Sequence, residues 1–259
     1  MNKKSLGQNF LIDQNVIRKI VNIIDIKKKN IIEIGPGKGA ITDEIIKKKP
    51  NSLLLIEKDD KLFYELQQKF KKNKIVKVFH ADILKFDLEK IIKKNSIIFG
   101  NLPYNISSQI LVKILRIKKW PPNLNDIIFM FQKELAEKII ATYPSPNYGR
   151  ISILFNYRLN LIRKILVSSN CFFPKPKVNS MVIHLKPKKE IMFKIKEITN
   201  LEKVTNTLFS SKRKMINKSI KKILSQKKIQ SLTNLKLHLR PSNLKPEIYY
   251  KITELFEKS

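Results

Sequence analysis

The stretch Glu33-Ile34-Gly35-Pro36-Gly37-Lys38-Gly39-Ala40 decides the fold of this chain. It begins in an apolar run of strand length, Ile31–Ile34, and it leads into Ile41–Lys49, where apolar residues recur at helical spacing. Glycine lets the backbone pass close to a ligand, and the first turn of a helix presents unpaired N–H groups. We therefore predict a strand, a nucleotide-binding turn and a helix.

The glycine turn alone does not identify its ligand. Gly35, Gly37 and Ala40 fit the dinucleotide pattern, so the turn alone does not separate a nicotinamide cofactor from S-adenosylmethionine. The plain alternative is a tight strand–helix turn without a ligand. The concentration of glycines argues against that alternative, because half of the chain's six glycines lie in this stretch.

Further runs of strand length alternate with helical patterns along the chain. The strand-like runs are Leu53–Ile56, Ile75–Phe79, Ile97–Phe99 and Ile127–Phe131. The helical patterns include Val16–Ile24, with Asp13 as its cap, and Lys61–Phe70. Strands separated by helices indicate an α/β fold with a doubly wound, mostly parallel sheet. Two later runs, Leu161–Val167 and Val178–Leu185, are close enough in sequence to form an antiparallel pair at the end of that sheet.

The C-terminal part is predicted to be all helical. From Pro187 onward strand-like runs stop, and helical patterns follow at Leu201–Phe209, Met215–Leu224 and Glu247–Phe256. We therefore place a domain boundary near Pro187. It divides the chain into an α/β domain, 1–186, and a helical domain, 187–259.

The composition indicates a polyanionic partner. The 259 residues include 53 Lys and Arg against 21 Asp and Glu, which gives a formal net charge of +32. A surplus of this size repels itself unless a polyanion or its counterions neutralise it. RNA or DNA is therefore the favoured partner. The alternative is a solvated coat of lysines that follows a bias toward A/T-rich codons.

Several classes of protein and site are disfavoured. No apolar stretch approaches the roughly 18 residues that cross a bilayer, and the start of the chain lacks an apolar signal region. We expect a cytoplasmic monomer without a membrane partner. Cys171 is the only cysteine, which excludes internal disulfides and multi-thiolate metal sites. His80, His184 and His238 are too scattered for a metal cluster, so no metal is expected.

Two carboxylates follow the strands next to the glycine turn. Glu57 stands at the end of the second strand, where a carboxylate can take both hydroxyls of a ribose. Asp82 lies just past the third strand, where the carboxyl edge of the sheet would meet an adenine amino group. Ordinary capping of the following helix is the alternative for each of them.

The segment after the fourth strand, Phe99-Gly100-Asn101-Leu102-Pro103-Tyr104-Asn105, matches a chemical need. The exocyclic nitrogen of adenine is a poor nucleophile, because its lone pair is delocalised into the ring. If the Asn101 side-chain carbonyl and the Leu102 backbone carbonyl accept its N–H bonds, the lone pair is aimed at a methyl group. Tyr104 can stack on the base. The alternative is a plain Asn-x-Pro-Tyr turn.

These motifs carry a resemblance that covers nearly the whole chain. The chain resembles the small-subunit rRNA adenine dimethyltransferase family, of the KsgA type. The segments that carry the resemblance are 7–11, 33–37, 101–105, 132–136 and 172–178. In the tail, Lys212-Arg213-Lys214 and Arg240-Pro241-Ser242-Asn243-Leu244 are similar to the family's small helical domain.

The resemblance implies a fold and an activity. The fold would be a Rossmann-like S-adenosylmethionine-dependent methyltransferase sheet with a small C-terminal all-helical domain. The activity would be transfer of methyl groups from S-adenosylmethionine to N6 of two adjacent adenosines, giving N6,N6-dimethyladenosine. These adenosines lie in the loop of a hairpin near the 3′ end of 16S rRNA, so the implied partner is the small ribosomal subunit during its biogenesis.

The resemblance also implies residue roles for the methyl donor. Asn9 and Leu11, within an N-terminal segment 1–12, would close over the donor. Gly35 would contact its methionine portion, Glu57 its ribose and Asp82 its adenine.

For the methylated base, the resemblance implies three further roles. Asn101 would bridge the donor and the target amine. Tyr104 and Phe172 would sandwich the base. Asn179 and Ser168-Ser169 depart from the family pattern in the segment around Phe172.

Three other functions compete with this one. A methylase of large-subunit rRNA of the antibiotic-resistance type shares the glycine turn and an Asn-x-Pro-Tyr motif, but Leu102 and the C-terminal match favour the small subunit. A non-catalytic assembly factor would not need Asn101, Tyr104 and Glu57 intact. A nicotinamide oxidoreductase would leave the Asn-Leu-Pro-Tyr segment and the charge without a purpose.

Overall fold

The computed structural model describes residues 9–233 and 235–258, so residues 1–8 of the predicted donor-closing segment lie outside the described residues. The chain forms two compact units. The first contains the residues up to Ala136 together with Leu161–Pro187, and the second contains Glu137–Asn160 and the residues from Lys188 onward. The sequence-based boundary near Pro187 keeps 137–160 in the first domain, whereas the structure groups these residues with the C-terminal part.

The described strands are short and mostly buried. In chain order they are β1 (Phe10–Leu11), β2 (Asn30–Ile34), β3 (Ser52–Glu57), β4 (Val76–His80), β5 (Ser96–Asn101), β6 (Leu124–Gln132), β7 (Leu159–Val167), β8 (Phe172–Phe173) and β9 (Ser180–Pro187). Among the described residues, seven of them form one sheet in the order β4-β3-β2-β5-β6-β9-β7. The first five are parallel, and β9 is antiparallel to β6.

The described helices follow the strands of the first unit and dominate the second. They are α1 (Gln14–Val21), α2 (Ala40–Lys47), α3 (Asp60–Lys69), α4 (Ser107–Leu115), α5 (Lys133–Ile139), α6 (Arg150–Arg158), α7 (Ile198–Phe209), α8 (Asn217–Ile220), α9 (Gln226–Gln230) and α10 (Pro246–Phe256). Helix α6 packs against α7 and α10, and the rings of Tyr157 and Tyr250 lie 5.1 Å apart. This packing explains why residues 137–160 belong to the C-terminal unit.

Most of the predicted elements are confirmed, and the N-terminal cap is a clear case. The Asp13 carboxylate accepts the N–H groups of Asn15 and Val16 at 2.9 Å, which starts α1. The prediction for Met215–Leu224 was too long, because only Asn217–Ile220 is helical there.

Strand order brings the ends of β2, β3 and β5 together. Strand β2 lies between β3 and β5. The chain adds β3 and β4 on one side of β2 and then crosses to the other side, where it adds β5 and β6. Ile34, the last residue of β2, is in register with Ile56 of β3 and Gly100 of β5. Ligands of open parallel sheets bind where the strand order reverses in this way. The glycine turn and Asn101 therefore reach the same edge of the sheet.

Gly100 is required by packing at this edge. A Cβ atom at Gly100 would lie 2.6 Å from Leu102 Cδ2 and 3.1 Å from Phe129 Cδ1. Both neighbouring side chains are buried, so neither can move away without disturbing the core.

We expect Gly100→Ala to lower the free energy of unfolding by about 1–3 kcal/mol, the usual cost of overpacking a core. Gly149→Ala is the matched control, because nothing lies within 4 Å of a Cβ there and its backbone is extended. Replacing this glycine at the start of α6 should lower the free energy of unfolding by less than about 1 kcal/mol. Urea unfolding measures both variants, and equal losses would show that Gly100 is not under packing constraint.

Candidate active site

Glycines shape the turn between β2 and α2. Gly35, Gly37 and Gly39 have φ angles of +66°, +58° and +78°, in the left-handed region that side chains rarely adopt. The Gly35 N–H donates to the Ile56 carbonyl at 3.0 Å, and the Gly37 N–H donates to Glu57 Oε2 at 3.2 Å. The turn is thus tied to the end of β3.

Glu57 is the residue that holds the turn. Its Oε1 atom accepts the N–H groups of Lys58 and Asp59 at 2.9 and 3.0 Å, in addition to the Gly37 bond at Oε2. Burial raises the pKa of this carboxyl, and these three N–H groups offset part of that rise. The side chain is therefore fixed in one orientation at the strand end.

Two adjoining pockets open beside the turn, and together they are called the cavity, with a larger and a smaller lobe. The larger lobe, of about 240 Å³, and the smaller one, of about 100 Å³, share Gly35, Glu57 and Pro103. Five further predicted site residues line the larger lobe: Asn9, Leu11, Asn101, Leu102 and Tyr104. A sixth, Asp82, lines the smaller lobe. The structure thus brings together every predicted site residue except Phe172.

Asn101 is oriented by the N-terminal strand. Its Nδ2 atom donates to the Asn9 carbonyl at 3.2 Å. Because the amide nitrogen is used in this bond, the Oδ1 atom is the acceptor that Asn101 offers at the end of β5. Asn101 thus presents a side-chain oxygen at this edge of the sheet, and its role toward an amine stays a prediction.

Tyr104 is held at both ends. Its hydroxyl lies 2.7 Å from Ser180 Oγ, and its carbonyl accepts the Ser107 hydroxyl at 3.1 Å. Burial raises the pKa of the Tyr104 phenol above its usual value, so the hydroxyl is neutral at physiological pH. These bonds hold the backbone and the hydroxyl of Tyr104, which lines the larger lobe.

Asp82 lies in the smaller lobe and is paired there with Lys58. The Lys58 ammonium donates to Asp82 Oδ2 at 2.8 Å, and the Leu84 N–H donates to Oδ1 at 2.9 Å. The bond from Lys58 lowers the pKa of the Asp82 carboxyl. Asp82 is therefore an anion with one free lone pair on each oxygen, and the sequence did not reveal its pairing with Lys58.

Phe172 is buried in the structure and does not line either lobe. Phe172 is paired with Leu11 across β8 and β1, and its side chain is only 3% exposed within the hydrophobic core. Successive side chains of a strand point to opposite faces, so the neighbouring ring of Phe173 is 66% exposed. Phe172 thus packs in the core in this structure, and its predicted role in stacking on the base stays a prediction.

The N-terminal strand covers the glycine turn. A Cβ atom on Gly37 would lie 3.0 Å from the ring of Phe10, so the two are in close contact. The Lys38 ammonium lies 5.1 Å from the centroid of the same ring, on an exposed side chain. Phe10, which sequence reasoning did not single out, therefore packs directly on the turn.

Glu33 is a second site residue that sequence reasoning missed, although it begins the stretch that decides the fold. It lines the larger lobe, and its Oε2 atom accepts the Thr42 hydroxyl at 2.7 Å. Burial raises its pKa to about 8, the Thr42 bond opposes this, and Asp43 and Glu57 add repulsion. Lys69 partly offsets that repulsion. A buried acid before a glycine turn was the available signal.

The described part of the chain holds neither a membrane-spanning helix nor a metal-binding cluster. In residues 9–233 and 235–258, no helix has the length and apolar character to cross a membrane. Within the same residues, no group of three or more His, Cys, Asp or Glu side chains is arranged to hold a metal ion.

Glu33 should make stability depend on pH. The native carboxyl stays protonated up to about pH 8, whereas the unfolded chain ionises it above its usual value of 4.5. Stability is therefore lost as pH rises between these two values, by about 1.4 kcal/mol for each pH unit at most. Glu33→Gln should remove this slope in urea unfolding from pH 5 to pH 8.

The control for this experiment is Glu65→Gln, which removes an exposed carboxyl from α3. This variant should keep the wild-type pH profile. Parallel profiles for wild type and Glu33→Gln would contradict the assignment of a neutral, buried Glu33.

Solved structures share this fold. A dimethyladenosine transferase from Plasmodium falciparum superposes with a TM-score of 0.79 at 22% identity, over 96% of this chain and 98% of that one. The 23S rRNA methyltransferase ErmE superposes with a TM-score of 0.69 at 21% identity, over 96% and 100%. These similarities confirm the Rossmann-like methyltransferase sheet with a helical C-terminal part.

The sequence comparisons reach further. "Ribosomal RNA small subunit methyltransferase A" of Pelagibacter ubique is 43% identical to this chain, over 98% of this chain and 97% of that protein. The protein of the same name from Mycoplasma mobile is 38% identical, over 95% of each. Residues 1–258 match the ribosomal RNA adenine dimethylase family. The glycine turn, Glu57 and the Asn101 segment of this chain are therefore those of a member of the ribosomal RNA adenine dimethylase family.

Proposed function

We propose that this chain transfers methyl groups from S-adenosylmethionine to N6 of two adjacent adenosines in the hairpin loop near the 3′ end of 16S rRNA. The product is N6,N6-dimethyladenosine in the small ribosomal subunit, and the chain acts as a monomer. The observation that carries the proposal is the Asn101 amide, whose Oδ1 is left as an acceptor beside the glycine turn by the bond from Nδ2 to Asn9. The names of the relatives support the small-subunit substrate.

The cavity fits a positively charged nucleoside donor. The ionised Asp82 lines the smaller lobe and Glu57 lines both, whereas the Glu33 carboxyl in the larger lobe is protonated up to about pH 8. Lys38 and Lys58 also line the lobes. A ribose bound at Glu57 would place its base toward Asp82 and its methionine portion toward Gly35. At Gly35 a Cβ atom would make only ordinary contacts, 3.6 Å from the Asn101 backbone oxygen and 3.8 Å from Pro103, so it is the φ angle of +66° that favours glycine there.

Catalysis by these residues is mainly positioning. S-Adenosylmethionine supplies an electrophilic methyl group on a sulfonium. Asn101 Oδ1 and the Leu102 carbonyl accept the two N–H bonds of the adenine amine and direct its lone pair at that methyl group. No strong base is needed, because the methylated amine is a cation that loses its proton readily.

Tyr104 supplies the plane for the base. Its hydroxyl lies 2.7 Å from Ser180 Oγ, and the residue lines the larger lobe, where the ring can offer a face to a base. A base stacked there has its amino group near Asn101 and Leu102, which share the lobe.

Dimethylation places a further demand on the site. In the first transfer the amine offers two N–H bonds to the two acceptors. In the second transfer only one N–H remains, so stacking on Tyr104 has to supply more of the positioning. The acceptors are neutral amide oxygens, which tolerate the loss of one donor better than a charged group would.

A methylase of large-subunit rRNA is the second candidate. The fold of ErmE supports it, since that structure covers 96% of this chain. At 21% identity this likeness shows the fold alone, whereas relatives at 38–43% identity carry the small-subunit name. The small subunit is therefore the proposed substrate.

The donor site is tested by Glu57→Gln. The variant keeps the size of the side chain but replaces one acceptor oxygen with an NH₂ group, so donor affinity should fall by about 1.5–3 kcal/mol. Asp60→Asn is the control, since it removes an exposed carboxylate three residues away. Titration calorimetry with S-adenosylmethionine measures both, and an unchanged affinity of Glu57→Gln would remove Glu57 from the donor site.

The reaction is tested with unmethylated ribosomal subunits and labelled S-adenosylmethionine. Wild type should form N6,N6-dimethyladenosine in small-subunit rRNA and leave large-subunit rRNA unlabelled. Asn101→Ala should lose methyl transfer by at least about 100-fold and keep RNA binding, because phosphate contacts are made elsewhere.

Asn125→Ala is the matched control, because this exposed Asn lies at the amino end of β6, away from the cavity. It should methylate at the wild-type rate. Label confined to the large subunit would overturn the proposed substrate, and near-normal transfer by Asn101→Ala would overturn the mechanism.

A further inference from the structure

An exposed aromatic ring stands beside the cavity. Phe173 of β8 is paired directly with Phe10 of β1, and residues that are directly opposite in a strand pair have side chains on the same face. Phe10 lines the larger lobe and packs on Gly37. The 66% exposed ring of Phe173 therefore lies on the same face of the strand pair as Phe10, a residue that lines the larger lobe.

The position of Phe173 is fixed by its neighbours. Phe172 anchors the strand from the core side, and the buried Pro176 anchors the segment that follows. In addition, the Cys171 carbonyl accepts the N–H of Ile12 at 2.9 Å. Single exposed apolar side chains are common on protein surfaces. This one stands on a strand that is anchored on both sides and paired with a residue of the site that the proposed function uses.

The surroundings of Phe173 are free of negative charge along the chain. Residues 138–189 contain no Asp or Glu, and Lys175 and Lys177 are exposed just after the ring. Asp13 carries the carboxylate that follows β1 in the chain, and this carboxylate caps α1. An exposed aromatic ring interleaved with lysines is typical of surfaces that bind single-stranded nucleic acid.

We propose that Phe173 is a stacking platform for a nucleotide next to the adenosine that is methylated. The inference rests on the proposed function and adds a contact outside the cavity. The target adenine enters the larger lobe, the adjacent base stacks on Phe173, and Lys175 and Lys177 meet the phosphates that join them. Phe173 acts on the binding and register of the RNA, and it touches neither the donor nor the reacting amine.

The proposal is tested by the dependence of methylation rate on the concentration of unmethylated small subunits. Phe173→Ala and Phe173→Leu should both raise KM by about 5- to 100-fold, the range for losing one base–aromatic stack. Phe173→Trp should stay within about twofold of wild type, since it keeps an aromatic face. In all three variants kcat and the affinity for S-adenosylmethionine should be unchanged, and the latter also reports that the fold is intact.

Tyr64→Ala is the matched control, because it removes an equally exposed aromatic ring from α3. It should leave KM unchanged. A wild-type KM for Phe173→Ala, or full recovery by Phe173→Leu, would overturn the stacking role while methylation by the wild type leaves the proposed function intact. Absence of methylation by the wild type would instead overturn the proposed function and this inference with it.

Discussion

The bond between the Gly37 N–H and the Glu57 carboxylate is the interaction on which the site depends. It ties a turn of left-handed glycines to the end of the neighbouring strand. A turn of this kind has little intrinsic preference for one conformation, since glycine pays the largest entropy cost on folding. A buried carboxylate that accepts three backbone N–H groups supplies the missing constraint. The two lobes of the cavity meet at this pair of residues.

The parallel register of the sheet turns this local constraint into a site. Strands β3 and β5 flank β2, and their carboxyl ends lie level with the start of the glycine turn. Residues that are far apart in sequence, such as Gly35, Glu57 and Asn101, thus become neighbours without any long loop. Packing enforces this closeness, because Gly100 has no room for a side chain beside Leu102 and Phe129.

Acidic side chains gather at the cavity of a strongly basic chain. The two lobes are lined by Glu33, Glu57, Asp59 and Asp82, beside Lys38 and Lys58, in a chain whose net charge is +32. A cationic donor suits the interior, and a polyanionic RNA suits the exterior. The pair of short strands β1 and β8 forms the border between them, with Phe10 on the glycine turn and Phe173 in solvent.

The sequence by itself determined the α/β class, the glycine turn and the members of the site that follow strands. These features depend on local patterns: strand-length apolar runs, glycines at fixed spacing, and polar residues just past a strand end. Glu57, Asp82 and Asn101 could be identified in this way because the carboxyl ends of parallel strands meet at one edge.

Only the tertiary structure decided how the side chains of the site are oriented and which of the rings beside it are buried. The orientation of the Asn101 amide depends on Asn9, 92 positions away in the chain, and no local pattern reports such a bond. The same holds for Phe172 and Phe173, which are adjacent and chemically identical although one is buried and the other is exposed. Their difference arises from the pairing of β8 with β1, which turns one ring into the core and the other to solvent.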